Sequence, residues 1–154
     1  MASMSSLKET IRTDLTTAMK ARDEIRSSTL RMVLTAITNA EVAGKQAREL
    51  SDDEIITVLS SEAKKRREAA TAFADGGRPE QAAKETAEAA VIADYLPAQL
   101  TPEEIADVVA RAIAQTGATE PREMGKVMGV VTPQVKGRAD GGAVAAEVRR
   151  QLGA

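Results

Sequence analysis

The segment YLPAQLTPEE, from Tyr95 to Glu104, decides how the chain is built. Pro97 pushes Leu96 out of the α region, so a helix arriving from the N-terminal side stops there. Thr101, Pro102 and Glu104 then supply an N-cap, a first-turn proline and the far half of a capping box, so a new helix starts. The chain is therefore expected to divide near Pro97, into an N-terminal helical domain (1–96) and a C-terminal domain (97–154).

Upstream of that break the apolar residues recur at helical spacing. Leu7, Ile11, Leu15, Ala18 and Met19 predict a first helix over about residues 5–22. Asp23 and Glu24 open a second, with Leu30, Val33, Leu34 and Ile37 as its stripe and Gly44 expected to close it. The two are expected to pair as an antiparallel hairpin. Ser51 and Glu54 form a capping box that starts a third helix, with Ile55, Ile56, Leu59, Ala63 and Ala70 facing inward and Gly76-Gly77 stopping it. Glu62 with Arg66 and Lys64 with Glu68 are i,i+4 pairs assigned to an exposed face, each contributing about 0.2–0.5 kcal/mol. A fourth helix begins near Pro79 and runs through Ala83, Ala87, Val91 and Ile92 toward Tyr95.

Downstream, Ile105, Val108, Val109, Ala112 and Ile113 fill one face of a helix closed by Gly117. Another starts near Glu120-Pro121. A last one runs from about Asp140 to Leu152, with Val144, Val148 and Leu152 at i, i+4, i+8. No segment shows strand periodicity. The fold class is all-α: an N-terminal helical domain with a long helical hairpin, then a small C-terminal three-helix domain.

Composition narrows the chemistry. Of 154 residues, 43% are hydrophobic but only 1% aromatic (Phe73 and Tyr95), so the core is expected to consist of Ala, Leu, Ile, Val and Met. There is no cysteine and no histidine. That excludes cysteine nucleophiles, Ser-His-Asp triads, histidine zinc sites and imidazole acid–base catalysis. It also excludes a disulfide framework, which fits a reducing cytoplasm. A net charge of −2 leaves any nucleic-acid contact to local basic patches. No apolar run approaches the roughly 18 residues of a membrane span, so no membrane partner is expected. The N-terminus carries Lys8 and Arg12 without an apolar region, against a secretory signal, and Glu9 and Asp14 argue against a transit peptide. Neither GxxxxGK[ST] nor GxGxxG nor a calcium-loop spacing occurs, so no catalytic residue, metal ligand or cofactor is assigned. Asp52-Asp53 and Glu103-Glu104 are first-turn carboxylates that the helix dipole favours.

One stretch does not read as plain scaffold: MGKVMGVVTPQVKGRADGG, Met124–Gly142. Met124, Val127, Met128, Val131 and Val135 fall on one helical face. Gly125, Gly129, Pro133 and Lys136 form a row on a flanking face. Two glycines one turn apart leave a bare groove, open either to close helix packing within the domain or to the backbone of a nucleic acid. Pro133 leaves two alternatives, a helix that continues past it or a break with Thr132 as a new N-cap. Lys126, Lys136, Arg138, Arg149 and Arg150 make the C-terminal part locally basic. Lys64-Lys65-Arg66-Arg67 is a second basic run. Four successive residues go round a helix, so it is read as a solvated face paired with Glu62 and Glu68.

Three segments together resemble the YqeY family: EAKKRREAATAFADGGR (Glu62–Arg78), YLPAQLTPEE, and MGKVMGVVTPQVKGRADGG. RMVLTAITNAE (Arg31–Glu41) fits it as well. The family is similar to the tail domain of the B subunit of aminoacyl-tRNA amidotransferase, and the resemblance spans about Leu7 to Leu152. It implies two helical parts and contact between the tail and the outer corner of tRNA. It implies a non-catalytic module associated with tRNA or other structured RNA. The candidate RNA-binding residues are then Gly125, Lys126, Gly129, Lys136, Arg138 and Arg149. Two other readings stand beside it. One is an accessory that docks on translation or amidotransferase proteins. The other is a carbon–nitrogen ligase component active only with partners, although the catalytic domain of the amidotransferase subunit has no counterpart in the chain.

Overall fold

The computed structural model describes residues 6–153. Its elements are α1 (Ser6–Lys20), α2 (Glu24–Val42), α3 (Asp52–Asp75), α4 (Pro79–Ala93), α5 (Pro102–Thr116), a 3₁₀ turn (Pro121–Glu123), α6 (Met124–Val135) and α7 (Gly141–Gln151). The protein is all-α, with no strand among the described residues. Ser5, where the first helix was expected to begin, lies outside them. No helix among the described residues is long and apolar enough to cross a membrane.

Local chemistry sets the helix ends. Ser51 and Thr101 both form full capping boxes. Their hydroxyls accept from the backbone N–H of Glu54 and Glu104 at 3.2 and 3.1 Å, and those carboxylates accept in return from the cap N–H. α3 ends in a Schellman motif: Gly77 is left-handed (φ +74), and the Arg78 N–H reaches the Phe73 carbonyl at 2.8 Å. α1 ends the same way without glycine. Arg22 takes φ +58, and the Asp23 N–H reaches the Ala18 carbonyl at 3.0 Å. A side chain in that region costs about 1 kcal/mol or more. Gly44 does not close α2. The helix ends earlier, at Val42, with Ala43 as its right-handed C-cap.

The chain folds into two compact units, Met1–Leu96 and Pro97–Ala154. In the first, α1 pairs with α2, and α3 pairs still more extensively with α4. Its core is Ile11, Leu30, Val33, Ile37, Leu50, Ile55, Leu59, Ala63, Val91 and Ile92. In the second, α5, α6 and α7 enclose Ile105, Val109, Ala112, Val127, Val131, Val135, Val144, Val148 and Leu152. The aliphatic core is as expected except for methionine. Met124 and Met128 only flank the second core, and Met19 is half exposed. Ala83 also faces solvent rather than the core.

The basic run on α3 departs from expectation. Arg66 is buried and not part of a solvated face. Its Nη1 donates to the Glu62 carbonyl and to Glu62 Oε1, both at 3.1 Å, and its Nε lies 3.5 Å from Oε2 of buried Glu88 on α4. Its Nη2 donates to the Met32 sulfur on α2 at 3.1 Å. One guanidinium thus ties three helices. The pattern is invisible at i,i+4 because Glu88 is distant in sequence. Lys64, by contrast, pairs loosely with Glu68 at 4.0 Å on the surface, as expected.

Two further polar contacts fix the first unit. Lys8 holds the Glu41 carboxylate at 2.9 and 3.0 Å, and Glu41 also accepts from the Leu50 N–H at 3.2 Å. The Lys8 hydrogen bond keeps the Glu41 carboxyl below its ordinary pKa range. Tyr95 donates from its hydroxyl to Asp14 at 2.5 Å, joining the exit of α4 to α1. Burial first, and then the Asp14 carboxylate, push the Tyr95 phenol up to about 12.

Two outcomes follow from these interactions. Arg66→Ala strands buried Glu88 and leaves Glu62 with Lys65 alone, and should lower unfolding stability by about 3 kcal/mol. Lys64→Ala should stay within about 0.5 kcal/mol of wild type; urea midpoints compare the two. Tyr95 is neutral in the fold up to about 12, whereas in the unfolded chain it ionises near 10. Its contribution is complete below pH 10 and fades as pH rises from about 10 to 12. Urea titrations across that window should show the loss in wild type and a smaller one in Tyr95→Phe.

Candidate functional site

The second unit builds its most unusual surface on α6. The chain enters it through Thr119, whose N–H donates to Glu123 Oε1 at 3.2 Å. That backbone hydrogen bond is the main reason the Glu123 carboxyl sits below its ordinary range. Pro121 starts the 3₁₀ turn, and α6 runs unbroken from Met124 to Val135 with Pro133 inside it. Of the two alternatives left by the sequence, the helix continues.

The reason it continues is the buried row. Val127, Val131 and Val135 occupy one face at i, i+4, i+8 and are fully or almost fully buried. Breaking the helix at Thr132 would pull Val135 out of that register. Pro133 removes the N–H that the Gly129 carbonyl would use. Both residues are on the solvent side, so water can satisfy that carbonyl.

The outward face of α6 carries Gly125, Lys126, Gly129, Thr132 and Pro133, all exposed. A Cβ added at Gly125 or at Gly129 would meet nothing within 4 Å. Neither glycine has the left-handed backbone that would require one. The close helix packing considered from the sequence is therefore absent, and Gly129 does not make room for the Pro133 ring. Each glycine costs about 0.5–1 kcal/mol relative to alanine in a helix. Inside this unit nothing offsets that cost.

The flanking cations differ in their engagements. Lys126 is exposed and lies 3.6 Å from Glu123 Oε2, a loose surface pair. Lys136, the C-cap of α6, is exposed and has no ion-pair partner among the described residues. Gly137 follows in the left-handed region (φ +74) and turns the chain sharply. The turn is fastened to the start of the unit. Gln99 Nε2 donates to the Gly137 carbonyl at 2.8 Å, the Leu100 N–H to the Arg138 carbonyl at 2.8 Å, and Arg138 Nε to the Ala98 carbonyl at 3.1 Å. Lys136 therefore stands on a fixed turn.

Of the six candidate residues, Gly125, Lys126 and Gly129 share the outward face of α6, and Lys136 stands at its end. Arg138 is half-buried and spends its Nε on Ala98. Arg149 is exposed on α7, with no hydrogen bond or ion pair to α6. Arg150 is forked onto Glu147 at 2.7 and 2.6 Å, which brings the Glu147 carboxyl down to about 2. The start of α7 is occupied too. A Cβ at Gly142 would lie 3.3 Å from Asp140 Oδ2, so that carboxylate sits where an external anion would approach the helix end. Sequence reasoning missed Thr132, an exposed hydroxyl on the bare face; helical spacing from Gly125 and Gly129 would have placed it there. Among the described residues no cluster of acidic side chains is arranged to hold a metal ion.

Known proteins supply two points of comparison. A curated relative from Meyerozyma guilliermondii, "Altered inheritance of mitochondria protein 41, mitochondrial", is 33% identical over 87 residues. The match covers 56% of this chain and 44% of that protein, so the chain spans less than half the length of this relative. A family profile described as "Yqey-like protein" matches residues 8–152, nearly the whole chain. The chain belongs to the YqeY-like protein family.

Proposed function

We propose that the second unit is a non-catalytic RNA-contacting module that reads the backbone of tRNA or another structured RNA with the outward face of α6. The observation that carries this reading is the pair of open glycines, Gly125 and Gly129, held in a helix at a cost that no contact within the unit explains. A side-chain-free helix face lets a sugar–phosphate backbone approach closely. Lys126 and Lys136 flank it with cations, and Thr132 adds a hydroxyl. Such contacts position a nucleic acid without reading its bases. The kinship of the family with the tRNA-contacting tail of the amidotransferase B subunit points to the same class of partner. Docking on translation or amidotransferase proteins, or service as a ligase component, would enter only through such partners. The proposed setting is a reducing compartment, the cytoplasm, although the fungal relative is named for mitochondria.

The test separates stability from binding. Gly125→Ala and Gly129→Ala should each stabilise the protein by about 0.5–1 kcal/mol in urea unfolding. The double variant should at the same time bind bulk tRNA at least about tenfold more weakly in a filter or anisotropy assay. A stabilised variant with unchanged affinity would sink the proposal. Separately, Lys126→Glu with Lys136→Glu should flatten the slope of log affinity against log salt by about two, one for each lost phosphate contact. A slope equal to that of wild type would remove these two lysines from the interface.

A further inference from the structure

A second surface lies in the first unit, on the side of α2 turned away from its core. Ile25, Ser28, Met32, Thr35 and Asn39 follow one another at alternating spacings of three and four and form one stripe on α2. All five are exposed, although two are large and apolar: Ile25 at 42% and Met32 at 39%. Met19, at 50%, lies beside the N-terminal end of the stripe. Three of the four large apolar side chains exposed among the described residues therefore line two neighbouring clefts. Arg31 borders both clefts, which together form a groove.

The groove has a defined charge. Arg22, Arg31 and Lys84 line its first half and have no ion-pair partner among the described residues. Lys65 borders its second half. Against these four cations stand Glu24 and Glu62, and Glu62 is already held by Lys65 at 3.0 Å and Arg66 at 3.1 Å. Two details set the lining apart. Arg22 occupies the left-handed position closing α1, where glycine would fit without strain, so a cation stands there at a conformational cost. The Met32 sulfur accepts from the buried Arg66 guanidinium, which holds an exposed thioether in place.

We infer that this groove is a docking site for an acidic amphipathic helix of a partner protein. A seam of alternating three and four spacing on α2 is the pattern that a facing helix fills with apolar side chains. The uncompensated cations along its borders select carboxylates on the flanks of that helix. An RNA would satisfy the cations but leave Ile25, Met19 and Met32 against a polar backbone. The groove belongs to the first unit alone, so its role stands or falls separately from the RNA-contacting reading of α6.

The probe is a synthetic helical peptide of roughly 15 residues, with leucines at i, i+4, i+7, i+11 and glutamates on both flanks. A second peptide carries lysine in place of every glutamate. Fluorescence anisotropy with the full chain should show saturable binding of the acidic peptide, on the order of micromolar, that weakens with salt, and at least about tenfold weaker binding of the lysine peptide. Ile25→Glu should reduce acidic-peptide binding about tenfold, and Arg31→Glu with Lys84→Glu should reverse the preference between the peptides. These residues are exposed, so circular dichroism should show unchanged melting for each variant. Any of four results would overturn the inference. The peptides bind equally well or not at all. The groove variants leave binding unchanged. The chain self-associates in sedimentation through Ile25, making a second copy the occupant. Or tRNA binding is lost in the Ile25→Glu variant, making the groove part of an RNA surface.

Discussion

Both cores of this protein are closed without a buried aromatic ring, and the rest of the structure follows from that constraint. Burying a Val, Leu or Ile side chain contributes roughly 1.5–3 kcal/mol, and an aromatic ring brings a larger area in one step. With Tyr95 and Phe73 both only half-buried, each core is filled by aliphatic side chains set in helical register. This is why α6 keeps Val127, Val131 and Val135 in register through Pro133. In the second unit, Pro97–Ala154, the limit is tighter still, because a domain of about 60 residues buries only about 60% of the surface its unfolded chain exposes and is marginal. Two open glycines and an internal proline are a large concession in so small a core. Their position on the one face of α6 that the core does not need gives the RNA-contacting proposal its physical weight.

The first unit meets the same constraint differently. It supplements its aliphatic core with charge pairs between helices: Arg66 with Glu88, and Lys8 with Glu41. Such pairs add little net stability over apolar packing, because the ions must be desolvated. They do make one arrangement of the helices distinct from its neighbours, since a one-turn shift of α4 along α3 would bring Lys84 or Ile92 against Arg66 in place of Glu88. Helices as rich in alanine as α4 would otherwise slide past one another at little cost.

Much of this was legible in the sequence wherever a local rule governs. Ser51, Thr101 and Pro97 mark helix boundaries because capping and proline sterics act over three or four residues. The apolar rows of α2, α5 and α7 were visible because a helix repeats its faces at a fixed spacing. What the sequence concealed depends on distant partners. Arg66 looks like any member of a basic run until α4 brings Glu88 beneath it. Met19 looks like a core residue until the neighbouring helices prove not to reach it. Whether Gly125 and Gly129 are covered depends on where α5 and α7 end up, and no spacing on α6 itself encodes that. The same holds for Lys136, whose fixed stance comes from Gln99 and Leu100, more than thirty residues earlier.

Pro133 has one more consequence, for how α6 opens. The last turn of the helix is held by one backbone bond fewer than the turns before it, and its outward residues Thr132, Pro133 and Gln134 are exposed. Amide protons near Gln134 should therefore exchange with solvent through small local openings. Those of Val127 and Val131, beneath the core, should exchange only when the whole unit unfolds. The helix is thus rigid where it faces its own core and opens first around Gln134, just ahead of the fastened turn that holds Lys136. A partner would find Lys136 held in place and a single adjustable turn between it and the glycine face.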